Sequence, residues 1–154
     1  MKTKYLMQAG IIAAVYALLT ILMAPISYGP MQVRVSEAMT VLPALTPAGV
    51  PGLFLGCAVS NILGPYGPVD VICGSLATGI AALLSYKLKD KPALVPLPPV
   101  VLNGVIVGCV LHFAYGIPNL AVCIGWVALG ELIACYAIGY PLMKILKKYG
   151  GIFK

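Results

Sequence analysis

The chain has 154 residues, of which 61% are hydrophobic and 9% charged, and its mean hydropathy is +1.02. A soluble domain carries about 45–50% apolar and about 25% charged residues, so a water-facing globular domain is excluded, as is disorder, which needs low hydrophobicity and high net charge. Composition and length together describe an integral membrane protein with room for six helical spans of about 20 residues and short loops, one domain over residues 1–154.

Apolar runs and Pro/Gly punctuation place the spans in order. Span 1 is Tyr5–Ala24, too long for the apolar stretch of a cleavable signal peptide. It ends at Pro25, and the segment 26–33 reads as a loop. Span 2 is short, Arg34 to Leu45, and Thr46–Pro51 is a tight turn. Span 3 runs from Pro51 to Leu63, with proline at the helix start, where its missing N–H costs nothing. After the turn Gly64–Pro68, span 4 is Val69–Leu88, followed by the charged loop Lys89-Asp-Lys-Pro92. Span 5 is Leu94–Tyr115, closed by Gly116–Asn119, and span 6 runs from Asn119 to Leu146. Spans 2 and 3 are too short to cross at about 1.5 Å per residue without tilt, local thinning or burial in protein.

The formal charge is +6, from 10 basic and 4 acidic side chains. The lysines form three clusters: Lys2 and Lys4; Lys87, Lys89 and Lys91; and Lys144, Lys147, Lys148 and Lys154. They are not interleaved with aromatics on an exposed face, so they are not a nucleic-acid footprint. An even span number puts all three clusters on one side, and the positive-inside rule makes that side cytoplasmic, with both termini inside. The fold expected is an all-α membrane bundle of six transmembrane helices.

The five cysteines lie within apolar runs without a CxxC and read as small buried residues. A single His argues against a multi-His zinc or bis-His haem site, so no metal is expected. Walker A, HExxH and GxSxG patterns are absent. A charge at membrane depth costs about 2.5–3.5 kcal/mol on insertion scales, so polar groups inside the spans face partners or a cavity. They are Arg34, Glu37, Asn61, Asp70, Asn103, His112 and Glu131.

Topology puts these groups in the outer half or near the midplane, with Asn103 roughly 18 Å below Tyr115 and Glu131 about 18 Å below Asn119. A polar cavity open to the outside is the simplest arrangement. Arg34 and Glu37, at i and i+3, can also neutralise each other on one helix face. Asp70 can be a helix-start acid favoured by the dipole, and Asn103 a helix–helix hydrogen bond. Glu131 has no basic residue in its own helix, and Trp126 five residues earlier is either an interfacial anchor or a stacking wall. In span 1, Ala9, Ala13 and Ala17 form a flat stripe for close helix packing; Gly52/Gly56 and Gly104/Gly108 are further small-xxx-small pairs.

The run Gln32-Val-Arg34-Val-Ser36-Glu37-Ala-Met-Thr-Val-Leu-Pro43 resembles the signature of the QueT family. The likeness continues through Pro51–Cys57 and Asn61, Asp70–Thr78, Asn103, and Gly130-Glu131 with Gly139-Tyr-Pro-Leu, nearly the whole chain in order. These proteins are substrate-binding S components of energy-coupling factor (ECF) transporters assigned to queuosine precursors. The resemblance implies six helices with both termini inside, and one small nutrient bound near the outer leaflet under the loop after helix 1, here Ser27–Val33. It also implies docking on a transmembrane coupling subunit through Ala9, Ala13 and Ala17, two partner ATPase subunits that use ATP, and no cofactor or catalytic residue in this chain.

A 7-deazaguanine such as preQ1, preQ0 or queuine presents N1–H and a 2-amino group side by side, which Glu131 or Glu37 can accept as a pair. Asn103, Asn61, Gln32 or Arg34 can donate to its carbonyl, Trp126, Tyr28 or Tyr66 can stack on its face, and Asp70 can receive an aminomethyl cation. The alternatives are an S component for another flat heterocycle, a membrane-embedded enzyme using the acids, or a standalone transporter.

Overall fold

The structure, a computed structural model, describes residues 2–29 and 32–150. Pro30 and Met31 of the expected covering loop, and Lys154 of the last lysine cluster, lie outside the described residues. The described residues are all-α: α1 (Lys2–Leu22), a short α2 (Ala24–Ser27), a 3₁₀ segment (Val35–Ala44), α3 (Gly49–Ile62), α4 (Gly67–Lys87), α5 (Leu97–Phe113), α6 (Leu120–Leu132), a π-helical turn (Ile133–Gly139) and α7 (Tyr140–Lys148). Each expected span is helical.

Among the described residues, four helical stretches are long and apolar enough to cross a membrane: Lys2–Leu22, Gly67–Lys87, Pro92–Phe113 and Leu120–Lys148, the last continuous through the π turn. Gly49–Ile62 is apolar but shorter. The second expected span is not α-helical. A 3₁₀ helix rises about 2.0 Å per residue against about 1.5 Å for an α-helix, so a short segment wound this way reaches further. Its residues Ser36 to Pro43 are buried, so it lies inside protein, not against lipid.

α1, α3, α4, α5 and α6 pack in sequence as an arc, and the 3₁₀ segment sits within it, against α1, α3, α4 and the π turn. Close approaches set this packing. A Cβ on Gly139 would lie 2.8 Å from the Ala38 carbonyl, so the π turn and the 3₁₀ segment meet backbone to backbone. The polarity runs opposite to that of a soluble domain. Leu6, Ile11, Leu18, Ile72, Val101 and Leu132 face outward, while the interior holds Thr, Ser, Asn and charged side chains beside apolar ones such as Tyr16, Leu53 and Met143. Lipid solvates the outer face, so the interior can accommodate small and polar residues among the apolar ones.

The alanine stripe of α1 is directed inward. Ala9 and Ala17 are buried, and a Cβ on Gly52 or Gly56 would lie 2.9 Å from the carbonyl of Ala9 or Ala13. Small-xxx-small patterns serve any close helix contact, and here the contact is α1 on α3. That corrects the expectation that this stripe forms an external docking face: the outward face of α1 carries Gly10 and Ala14 between larger apolar side chains. Gly56→Val is expected to push α1 off α3 and cost about 1–3 kcal/mol of stability. Gly10→Ala, with nothing within 4 Å of the added methyl, is expected to be neutral or stabilising; thermal unfolding in detergent separates the two.

The described lysines of the three clusters gather at one end of the bundle. Tyr5, next to Lys4, and Tyr86, next to Lys87, line one groove there, and Leu88, Val95 and Met143 share one apolar cluster beside Lys144. The opposite end carries Tyr28, Tyr66 and Tyr115 in a chain. The Tyr115 hydroxyl donates to the Tyr66 carbonyl, Tyr66 to the Tyr28 carbonyl, and Tyr28 to the Ser60 carbonyl.

Candidate binding site

Every layer of the bundle contributes a polar side chain to one internal cluster, which has two tiers. The tier nearer the tyrosine end is built on Arg34. This residue precedes the 3₁₀ turns in extended backbone (φ −86°, ψ 99°), so its side chain leaves the face that carries Glu37 and crosses to α4. There Arg34 Nη2 lies 3.3 Å from Asp70 Oδ2, both side chains buried. Arg34 Nη1 approaches Cys57 Sγ, its guanidinium lies 5.5 Å from the Tyr28 ring centroid, and Asn61 Nδ2 donates to the Asp70 carbonyl at 3.1 Å. Gln32 is buried beside it at φ 45°, a left-handed backbone that a non-glycine residue adopts only when its surroundings hold it there.

The second tier is built on Glu37 and Glu131. Tyr16 donates its hydroxyl to Glu37 Oε1, and Thr78 Oγ1 donates to the same oxygen at 3.1 Å. Asn103 interacts with both carboxylates. Cys135, brought round by the π turn, places its thiol 3.6 Å from Glu131 Oε2 and 3.5 Å from the Glu37 carbonyl. π turns and long 3₁₀ runs are uncommon and concentrate at functional sites; here they face each other across this tier.

Native interiors pair nearly all buried polar groups, so each exception calls for an explanation. In this cluster Gln32 Nε2, Arg34 Nε, Glu37 Oε2, Asn61 Oδ1 and Asn103 Oδ1 are buried without a hydrogen-bond partner, as are Ser27 Oγ and Ser75 Oγ. The outer tier offers two unpaired donors, Gln32 Nε2 and Arg34 Nε, and one acceptor, Asn61 Oδ1, while the inner tier offers unpaired acceptors at Glu37 and Asn103. Such a set has the donors and acceptors to hydrogen-bond a small polar molecule carrying both functions.

Of the residues singled out from sequence, Gln32, Arg34, Glu37, Asn61, Asp70, Asn103 and Glu131 are brought together, with Tyr28 at the edge. Trp126 is not among them. It is 44% exposed on the outer face, because five residues put it about 140° round the helix from Glu131. It is no stacking wall for this cluster. One pairing is also corrected: Arg34 pairs with Asp70 Oδ2 rather than with Glu37. His112 stands apart, its ring 2.8 Å from the Ile117 carbonyl across the α5–α6 turn. Tyr16, Thr78, Cys57 and Cys135 were not anticipated. Tyr16 and Thr20, at i and i+4 on one face of α1, are a signal for Tyr16 alone; Thr78, Cys57 and Cys135 carry none of their own.

An apolar multi-helix bundle with a buried polar cluster at its centre is the architecture of a membrane protein with an internal polar site. The family model "QueT transporter" matches residues 6–148, and the chain belongs to that family. This is a family of transporters, not of enzymes. A relative from Lactococcus lactis subsp. cremoris (strain MG1363), named queuosine precursor transporter QueT, is 36% identical over 92 residues, covering 58% of this chain. The match spans about half of that relative, 54% of its length. No solved structure matches the chain.

Proposed function

We propose that this chain is the substrate-binding membrane subunit of an ECF-type importer and captures a queuosine precursor of the 7-deazaguanine class from outside. The observation that carries the reading is the set of unpaired buried polar atoms described above. Glu37 Oε2 and Asn103 Oδ1 suit the adjacent N1–H and 2-amino donors of such a base, and Gln32 Nε2 and Arg34 Nε suit its carbonyl. The name of the Lactococcus relative supports the substrate. In this reading the chain crosses the membrane six times, the lysine end lies in the cytoplasm, and the tyrosine end faces outside. A coupling subunit docks on the outward face of α1, and partner ATPases supply the energy. The ligand enters by displacement of the segment around Tyr28, which covers the outer tier.

The test is thermal unfolding of the detergent-purified chain with preQ1, preQ0, queuine, guanine, thiamine or riboflavin. A ligand at a thousandfold excess over its Kd adds about 4 kcal/mol of stability. Stabilisation by the 7-deazaguanines alone is expected. Stabilisation by thiamine or riboflavin instead would replace the substrate, and none by any compound would remove the reading.

A further inference from the structure

A large concavity lies away from the polar cluster, on the lipid-facing side between α1, α3 and α4. It encloses about 550 Å³ and is lined by Tyr5, Val50, Phe54, Ile80, Leu83 and Tyr86 among others, and no charged side chain lines it. Its floor depends on Gly79, where a Cβ would lie 2.9 Å from the Phe54 ring. Along α4 it extends from Leu76 to Tyr86, about 15 Å at the rise of an α-helix. That is half of the roughly 30 Å hydrocarbon core, the depth of one leaflet.

The groove opens at the lysine end. Lys89 Nζ lies 5.0 Å from the centroid of Tyr86, a lining residue, and the exposed Lys87 follows it directly. Acidic groups cannot offset these cations. Glu37, Asp70 and Glu131 are buried in the cluster, leaving Asp90 as the one acid at this end among the described residues. An apolar channel one leaflet deep with an excess of cations at its mouth has the chemistry of a phospholipid with an anionic headgroup.

We propose that this groove is a binding site for an anionic phospholipid, one acyl chain lying along Phe54 and Ile80 and the headgroup phosphate held by Lys87 and Lys89. The contribution of a lysine beside an anionic headgroup amounts to roughly fivefold in affinity.

The experiment is native mass spectrometry of the intact chain in detergent, titrated with phosphatidylglycerol or phosphatidylcholine of identical acyl chains. Phosphatidylglycerol is expected to be retained at least fivefold more. The preference is expected to vanish in Lys87→Gln/Lys89→Gln and to persist in Lys147→Gln/Lys148→Gln, which removes equal charge elsewhere at the same end. Ile80→Trp, at a lipid-exposed position where the larger ring fills the groove, is expected to abolish retention without lowering the unfolding temperature. Equal retention of the two lipids, equal loss in both lysine pairs, or undiminished binding in Ile80→Trp would each overturn the proposal. A groove kept for a partner's helix would give the first of these results.

Discussion

Asp70→Ala is expected to destabilise the chain by about 3–5 kcal/mol, the cost of leaving a buried charge without its partner. Arg34 is buried at the centre of the bundle, and Asp70 is the carboxylate in ion-pair contact with it. With Asp70 gone, Arg34 faces a thiol and the face of Tyr28, neither of which balances a guanidinium. Most of the loss is a penalty on the survivor rather than the worth of the pair. Replacing both together, as Arg34→Met/Asp70→Leu, is therefore expected to recover most of the stability while abolishing ligand binding. Unfolding of the two single variants and the double variant in one detergent completes the cycle. Equal destabilisation in all three would show that the partners act through packing and not through charge.

Glu37→Gln is expected to weaken binding of a 7-deazaguanine by roughly 10–100-fold, since a hydrogen bond to a charged group contributes about 1.5–3 kcal/mol. The substitution keeps an oxygen acceptor and nearly the same shape, so it isolates the charge. Tyr16 and Thr78 still find an oxygen there, so the fold is kept; Glu131→Gln, which removes the second charge beside Asn103, is expected to act in the same direction. Charge balance adds a second expectation. Arg34 is taken by Asp70, and no other basic residue is buried among the described residues, so Glu37 and Glu131 have no cation of their own. An aminomethyl ligand such as preQ1 supplies one, and the neutral nitrile preQ0 does not. The amine is expected to bind more tightly in the wild type, and the difference is expected to shrink in either glutamine variant. Isothermal titration with the two ligands measures both effects.

The helical segments were legible because twenty-residue apolar runs broken by Pro and Gly leave little choice in a membrane. The polar site was legible for the same reason: Arg34, Glu37, Asp70, Asn103 and Glu131 are too costly in lipid to stand there idle. What a single sequence does not contain is the rotation of each helix about its axis. Ala9, Ala13 and Ala17 give the same pattern whether they meet α3 or another protein. Trp126 is near Glu131 in sequence yet on another face. The 3₁₀ winding of Val35–Ala44 and the π turn after Glu131 depend on backbone contacts such as Gly139 on Ala38, which no local propensity encodes. Those two irregular segments decide which acids meet, so the identity of the cluster could be read from sequence and its pairing could not.

The most direct measurement is equilibrium binding of radiolabelled preQ1 to the purified chain, to Asn103→Leu and to Trp126→Phe. Asn103 stands between the two carboxylates with its carbonyl oxygen unpaired, and Trp126 lies on the outer face. The account predicts that Asn103→Leu loses binding while remaining folded and that Trp126→Phe binds as the wild type does. Retained binding in Asn103→Leu together with loss in Trp126→Phe would place the ligand outside the polar cluster and contradict the account.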